Sequence, residues 1–424
     1  MHVDLKYGEG EVRLCLEGAA SVAVLNEHPT PVVSDLQAAF LRAVTTDCIG
    51  SPPLKEIVRC DDKVTVIISD ITRYWMRQDR ICPLLADYLC GEMGVREENI
   101  VFLVALGTHR PQTAQELEML VSPQVYKRFR VVNHDCNGEL VTLGVTSRGT
   151  VVRVNQLAAG RKVILLGGTV HHLMSGFGGG RKSILPGISA EETIFQNHIH
   201  SLDPAEKRSN PKIGMGILSG NPVHEDMVEA AQWANPAFGI NLVVNSRQEL
   251  CALCCGHWLH AWEESCRMVH ALFGLPIAKK ADVVIASCGG YPKDINLYQA
   301  VKTLLNASQA LKEGGTLVFI AECREGGGAP SFFDWIVPLK EGRLDDALRE
   351  GFTISGYIFY AACEAVAKAR VLMLTRLAPD VVAPMALEAY GNVSELAKKL
   401  DVRGKDVYVM PYGGSVVPYV AAGR

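Results

Sequence analysis

The residues with the clearest capacity for chemistry lie between positions 171 and 198. His171 and His172 precede the run Gly176-Phe177-Gly178-Gly179-Gly180-Arg181-Lys182, and His198 follows sixteen residues after the lysine. Glycine has no Cβ, so successive glycines let backbone N–H groups close on a ligand, and such a nest prefers an anion, typically phosphate. An ATP-binding P-loop needs glycine directly before its lysine, and Arg181 stands there instead. What remains is a phosphate-cradling loop at Gly178, Gly179 and Gly180, carrying a lysine and framed by histidines. The same glycines also suit a plain tight turn between strand and helix, and composition alone leaves both uses open.

A second group of ionisable residues follows three apolar runs, at 64–68, 100–106 and 162–168. Runs this continuous are of the kind buried on both faces of a parallel sheet. The first delivers Asp70, Thr72 and Arg73, the second His109, and the third His172. In open α/β sheets ligands bind beyond the carboxyl ends of the strands. Polar residues are common in loops, but ionisable groups from three strand ends aimed at one rim mark a candidate site. His198 belongs to a helix expected over 190–201, opened by a capping box from Ser189 to Glu192. Helical spacing puts Glu191, Ile194, Phe195, His198 and Leu202 on one face, with Thr193, Gln196 and His200 on another. His198 is thus expected inward and His200 outward, and an inward histidine serves equally as a satisfied core residue or a ligand.

The elements that must position these groups alternate between strand and helix, which predicts a parallel α/β sheet. Strands are expected at 12–16, 22–25, 131–135, 140–144, 150–154 and 240–245, and helices at 34–44, after Pro83, from a capping box at Thr113–Glu116, and at 223–234. Cys251, Cys254, Cys255, His257 and His260 resemble a zinc set, but 250–255 reads as a strand entering the Gly256 turn, and no second cysteine pair follows. The boundary is expected near 276–280. A larger N-terminal α/β domain covers 1–275, rejoined by the tail 411–424, and a smaller doubly wound α/β domain covers 276–410. The second domain offers Lys293, Gln299 and Lys302 near its first strand end, residues that by themselves read as a solvated loop and helix end.

Bulk properties narrow the function classes. The chain has 424 residues and a formal net charge of −4, with no concentration of Lys and Arg, so nucleic acid is not an expected partner. No apolar run reaches membrane-spanning length, and the start reads as short alternation and not a signal peptide. Thirteen scattered cysteines in a chain this large point to reduced thiols in a cytoplasmic protein.

The motifs Asp70-Ile71-Thr72-Arg73, Gly107-Thr108-His109-Arg110, Asn133-His134-Asp135, His172 with the glycine run and Leu185-Pro186-Gly187, Asn197-His198, and Pro292-Lys293-Asp294-Ile295-Asn296-Leu297-Tyr298-Gln299 come in one order. That order, with His172 ten residues before Lys182 and His198 sixteen after, resembles the lactate racemase family over nearly the whole chain. The resemblance implies two α/β domains with the active site in the cleft between them. It also implies a nickel-pincer nucleotide, a pyridinium-3,5-bisthiocarboxylic acid mononucleotide holding Ni(II). By the resemblance, Lys182 would tether this cofactor covalently and His198 would complete a square-planar nickel site. His109 and His172 would be the acid–base pair, with Asp70 and Arg73 orienting them and the substrate. Thr72 and the three glycines would hold the cofactor. Gln299, Lys302 and Lys293 would reach the substrate carboxylate; in that family an aromatic of the second domain covers the substrate, and the nearby region here is 356–360, with no residue of it assigned that place.

The implied chemistry suits the residue types. The α-proton of a 2-hydroxy carboxylate is barely acidic. Removing hydride from C2 and the proton from the hydroxyl gives a planar 2-keto acid, which can be rebuilt from either face. Each face needs a base near neutrality, a role for histidine, and arginine offers a bidentate clamp for the carboxylate. The expected reaction is racemisation or epimerisation of a small-molecule 2-hydroxy acid, with proteins of cofactor synthesis as transient partners. Two other classes fit the glycine loop: a phosphotransferase using a nucleotide, and a non-catalytic nickel or nucleotide carrier.

Overall fold

A computed structural model describes residues 1–328 and 331–421. The apolar runs form strands because each side chain finds a packed layer on either side. Val64, Val66, Ile67 and Ile68 are all fully buried, as are Phe102, Leu103 and Val104. The chain divides into two compact units.

The first unit holds Pro29–Ser201 and Asn210–Leu272. Its six-stranded sheet runs in the order Leu250–Gly256, Phe238–Val244, Lys162–Gly168, Val64–Ser69, Ile100–Ala105, Arg130–Asn133. All neighbours pair in parallel except Leu250–Gly256, which is antiparallel to Phe238–Val244. The strands expected to carry chemistry, Lys162–Gly168, Val64–Ser69 and Ile100–Ala105, are therefore direct neighbours. The expected capping box forms at Thr113 and Glu116 and opens the helix Ala114–Val121. The cysteine-rich segment is the strand Leu250–Gly256. Among the described residues no group of three or more His, Cys, Asp or Glu is arranged to hold a metal.

The second unit holds Met1–His28, Leu202–Ser209 and Phe273–Arg424. Its six-stranded sheet is parallel throughout, in the order Leu387–Tyr390, Arg370–Leu374, Leu311–Ile320, Ala281–Ser287, Asp406–Met410, Ser21–Val24. The hairpin of His2–Tyr7 and Gly10–Cys15 contributes Val3, Leu5, Leu14 and Leu16 to a core shared with Val283, Ile285, Val318 and Leu372.

These assignments differ from the expected bounds of 1–275, 276–410 and 411–424. The first 28 residues side with the second unit because Ser21–Val24 extends its sheet at the edge, Val22 pairing with Val407. The tail strand Val417–Val420 pairs with Gly274–Ile277 within the same unit, so it does not rejoin the first. Residues 422–424 of that tail lie outside the described residues.

The helix at the nickel-ligand candidate also departs from expectation. It spans Glu191–His198, followed by a 3-10 turn Ile199–Ser201. No capping box forms, because Ser189 Oγ donates to Ile184 O at 2.8 Å instead of capping the helix. Phe195 is exposed, whereas Thr193 is buried with its hydroxyl on Val151 O at 2.6 Å. The helix is thus turned by about one position from the expected face, yet His198 remains inside at 2 % exposure.

Candidate active site

Asp70 follows the central strand Val64–Ser69 and is 3 % exposed. Its Oδ2 meets His109 Nδ1 in a short hydrogen bond, and its Oδ1 accepts from Thr72 Oγ1 at 2.6 Å. Arg73 lies 3.8 Å from the same carboxylate and donates to Thr72 Oγ1. Burial alone would push the Asp70 carboxyl up, but the His109 hydrogen bond and the Arg73 charge outweigh it and hold it below the usual value. An ionised Asp70 fixes Nδ1–H on His109 and leaves Nε2 as a free base, the arrangement that orients histidine bases in hydrolytic triads. The His109 turn is anchored from behind, since Gly107 N donates to Gly187 O at 2.9 Å and His109 N to Leu106 O at 2.9 Å.

His172 sits on a short hairpin, His171–His172 against Gly176–Phe177. Its Nδ1 accepts from the backbone N–H of Met174 at 3.2 Å and of Ser175 at 3.4 Å. Its Nε2 lies 3.0 Å from Lys182 Nζ. Burial, then the charges of Lys182, Arg73, His198 and Arg181, push the His172 ring well below its ordinary value. Burial followed by Arg181 and Arg73 does the same to the Lys182 amine. Lys182 leaves a loop that only glycine can follow. Gly180 has φ +53 and a Cβ there would fall 2.4 Å from Trp262 Cγ; at Gly179, φ +73, it would fall 2.7 Å from Gly168 O.

His198 donates Nδ1–H to Ile194 O at 3.0 Å, so its Nε2 keeps a lone pair for a ligand. Burial, with Lys182 adding to it, takes its ring down to about 3. The preceding Asn197 fixes the end of the helix, with Nδ2 donating to Val223 O at 3.1 Å and to the buried Asp226 at 2.8 Å. Asp226 also accepts from Thr146 and Thr150. His200, expected outward, is only half-buried and carries a buried Nε2 without a hydrogen bond.

Comparison with known proteins places this geometry. The lactate racemase N-terminal domain matches residues 7–209, and the lactate racemase C-terminal domain matches residues 277–418. The chain is 31 % identical to the lactate racemase of Thermoanaerobacterium thermosaccharolyticum over 80 % of its own length and 79 % of that protein. It is 34 % identical to the lactate racemase of Lactiplantibacillus plantarum over 71 % of its length and 70 % of the relative. The chain belongs to the lactate racemase family.

The solved lactate racemase apoprotein from Thermoanaerobacterium thermosaccharolyticum superposes with a TM-score of 0.87 at 26 % identity, covering 99 % of this chain and all of that one. A protein from Thermotoga maritima shares the fold, with a TM-score of 0.64 at 18 % identity. The chain is accordingly an isomerase with the family's two-domain α/β architecture. That membership sets aside the phosphotransferase and carrier readings of the glycine loop.

The remaining candidates lie in the second unit. Gln299 and Lys302 occupy the first turns of the helix Leu297–Gln309, capped by Asn296, and Lys302 Nζ meets Gln299 Oε1 at 2.8 Å. Lys293 Nζ lies 3.1 Å from Ser415 Oγ, with the Tyr412 ring beside it. In the region 356–360, Tyr357, Phe359 and Tyr360 are buried in the helix Ile354–Val366, and Tyr357 donates to Ser209 Oγ.

Three residues that build the site are not evident as functional in the sequence. Gln112 accepts from Ile71 N at 3.2 Å and is itself held by Asn133, joining the loops that carry Asp70 and His109. Trp262 Nε1 donates to Gly178 O at 2.8 Å. Arg181, fully buried, reaches three loop carbonyls. The signal for Arg181 was its place before Lys182, where a P-loop would have glycine.

Proposed function

We propose that this chain is a nickel-pincer nucleotide-dependent racemase or epimerase that inverts C2 of a 2-hydroxy acid through a 2-keto acid. The observation that carries the reading is the Lys182 amine, packed against His172 at one strand end, with the Asp70–His109 pair at the end of a strand in the same sheet.

The residues present fit the cofactor. With Nδ1 committed to two backbone donors, a neutral His172 must carry its proton on Nε2, so the Lys182 nitrogen accepts and is a neutral nucleophile ready for acylation. His198 offers one imidazole nitrogen, and no protein cluster of three or more metal-binding side chains exists among the described residues. His198 would be the chain's contribution to holding the cofactor's nickel, an ion that imidazole nitrogen suits. Gly178, Gly179, Gly180 and Thr72 would face its nucleotide.

When bound, the cofactor supplies a centre that accepts hydride from C2 and returns it. The chain does the proton work. His109, with Nε2 free, would take the hydroxyl proton on one face, and His172, carrying its proton on Nε2, would be the donor partner on the other. Asp70 keeps the His109 tautomer fixed, and Arg73 clamps the carboxylate. Gln299, Lys302 and Lys293 would complete carboxylate binding. Thirteen free thiols suit a cytoplasmic protein, loaded by transient contact with cofactor-synthesis proteins. Among the described residues no helix is long and apolar enough to cross a membrane.

The test is intact mass and metal analysis of the chain produced alongside the cofactor-synthesis proteins, followed by assay against chiral 2-hydroxy acids. The expected result is a mass increment at Lys182, bound nickel, and loss of the increment in Lys182→Ala. A chain without increment or nickel, under conditions that load another family member, would overturn the reading.

A further inference from the structure

In the segment Met174–Gly179 only Gly176–Phe177 is regular strand, and five of its six carbonyls accept from side-chain donors. Asn221 Nδ2 donates to Met174 O at 2.9 Å, and Trp262 Nε1 to Gly178 O at 2.8 Å. Gly176 O accepts from the backbone N–H of Gly216, and Arg181 reaches three more: Nη2 to Ser175 O at 2.7 Å, and Nη1 to Phe177 O at 2.8 Å and Gly179 O at 3.3 Å. Its Nε donates to His224 Nδ1 at 3.2 Å, and its guanidinium lies 3.9 Å from the Trp262 ring centre, with His224 against the same indole. A buried arginine ordinarily meets a carboxylate. Here no ion pair to Arg181 is found among the described residues, and its charge is spent on backbone dipoles and an aromatic face.

The arrangement reaches the site through two adjacent peptide groups. The N–H groups of Met174 and Ser175 are those that meet His172 Nδ1. The Met174 carbonyl, in the same peptide group as the Ser175 N–H, is held by Asn221, and Arg181 holds the carbonyl of the next peptide group, Ser175 O, which also accepts from Phe177 N. We propose that Arg181 is a positioning residue: by gripping the glycine loop from beneath, it fixes the backbone donors that lock His172 as the Nε2–H tautomer facing Lys182.

A lysine could supply the charge but not the function. The guanidinium presents donors in one plane to Ser175 O, Phe177 O and His224 while its face stacks on Trp262, whereas an ammonium is a point source without a face. The position that a P-loop gives to glycine is used here for an inward anchor. Arg181 touches neither substrate nor the reacting atoms, and its effect passes through His172. The inference needs the proposed function only for its consequence in catalysis, because every readout below is made on the chain without cofactor.

The experiment compares wild type with Arg181→Ala and Arg181→Lys by two measurements. Imidazole 15N shifts report the His172 tautomer, assigned by its loss in His172→Gln. Hydrogen exchange followed by mass spectrometry reports the segment 174–182. Wild type should show a single Nε2–H signature. Arg181→Ala should show mixed tautomers and exchange in 174–182 faster by about tenfold or more, since several charged-donor hydrogen bonds are lost. The strands Val64–Ser69 and Lys162–Gly168 should keep their protection. Added methylguanidinium should restore both signals and methylammonium should not. An unchanged His172 signature in Arg181→Ala, or equal restoration by the two cations, overturns the proposal. Should Arg181→Ala fail to fold, Arg181→Lys keeps charge and stem; a wild-type signature in that variant overturns it equally. A failure of cofactor loading would leave these readouts untouched and would bear on the proposed function alone.

Discussion

His172 Nε2 and Lys182 Nζ lie 3.0 Å apart, and only the histidine can be the donor. The ring's other nitrogen already accepts from Met174 N and Ser175 N, so the single proton of a neutral imidazole is on Nε2. Lys182 therefore accepts, which requires a neutral amine. Burial and the neighbouring Arg181 and Arg73 charges push its pKa the same way. Electrostatics and hydrogen bonding reach one conclusion by separate routes.

The first prediction concerns that amine. Competitive acylation of the cofactor-free chain across a pH range, read by peptide mass, should give Lys182 a reactivity midpoint well below the value of about 10.4 expected of surface lysines. The sign follows from linkage: an unfolded Lys182 binds its proton at any pH below its ordinary pKa, while the folded one does not. Stability from this group is thus lost as pH falls. A Lys182 midpoint indistinguishable from that of exposed lysines would show that the amine is charged and the hydrogen bond is assigned in the wrong sense.

Asp70→Asn separates orientation from charge. An amide can present its NH2 to His109 Nδ1, which would move the imidazole proton to Nε2 and remove the free base. The variant should fold as wild type, with turnover of either enantiomer lowered by roughly 10²–10⁴-fold, the scale of a lost and misoriented general base. Both directions must fall, because each traverses both proton-transfer steps. Activity within a few-fold of wild type would mean that Asp70 only packs the loop.

The strands that carry the candidate residues are legible because their physics is local. Residues 64–68 are apolar but for Thr65, and residues 163–168 carry no polar side chain, a pattern with few uses besides a doubly covered strand. The polar residues beyond their ends then had to share a rim, which is why Asp70, His109 and His172 could be grouped before any contact was known. What failed was information carried by distant partners. Ser21–Val24 has nothing in its own sequence to say that Val22 pairs with Val407, so the N-terminal segment was assigned to the wrong unit. Ser189 and Glu192 have capping-box spacing, but Ile184 O offered the Ser189 hydroxyl a buried acceptor, and the helix started without it. Arg181 read as a departure from a P-loop because inward anchoring of an arginine depends on Trp262 and on carbonyls that the loop itself arranges.

His198→Ala should divide cofactor attachment from metal retention. The lysine remains able to form its bond, so the mass increment at Lys182 should persist. Bound nickel should fall by about tenfold or more, because the imidazole proposed to hold it is gone. The helix should survive, since Asn197 still ties it to Val223 O and Asp226. Nickel at wild-type stoichiometry in the loaded variant would remove His198 from the coordination set.

His171 tests the opposite case, a histidine beside the site with no evident use for its polarity. Both ring nitrogens are buried without a hydrogen bond, while the ring packs on Phe177 with centroids 4.8 Å apart. Burial, with His270 adding to it, takes its pKa down to about 3. The unfolded ring protonates near its ordinary value and the folded ring does not, so its contribution is intact at pH 7 and stability is lost as pH falls below about 6.5. His171→Phe removes both the unsatisfied nitrogens and this titration. It should stabilise the chain by about 1 kcal/mol at pH 7. The advantage should widen by roughly 1 kcal/mol for each pH unit between about 6 and 4. Urea unfolding of both proteins at pH 7 and pH 5 measures the difference directly, and His171→Leu covers the case in which the larger ring strains the packing. If neither variant gains on wild type as the pH is lowered, His171 is satisfied in solution by a group that its nitrogens reach, and its place beside His172 would then have to be explained as part of the site.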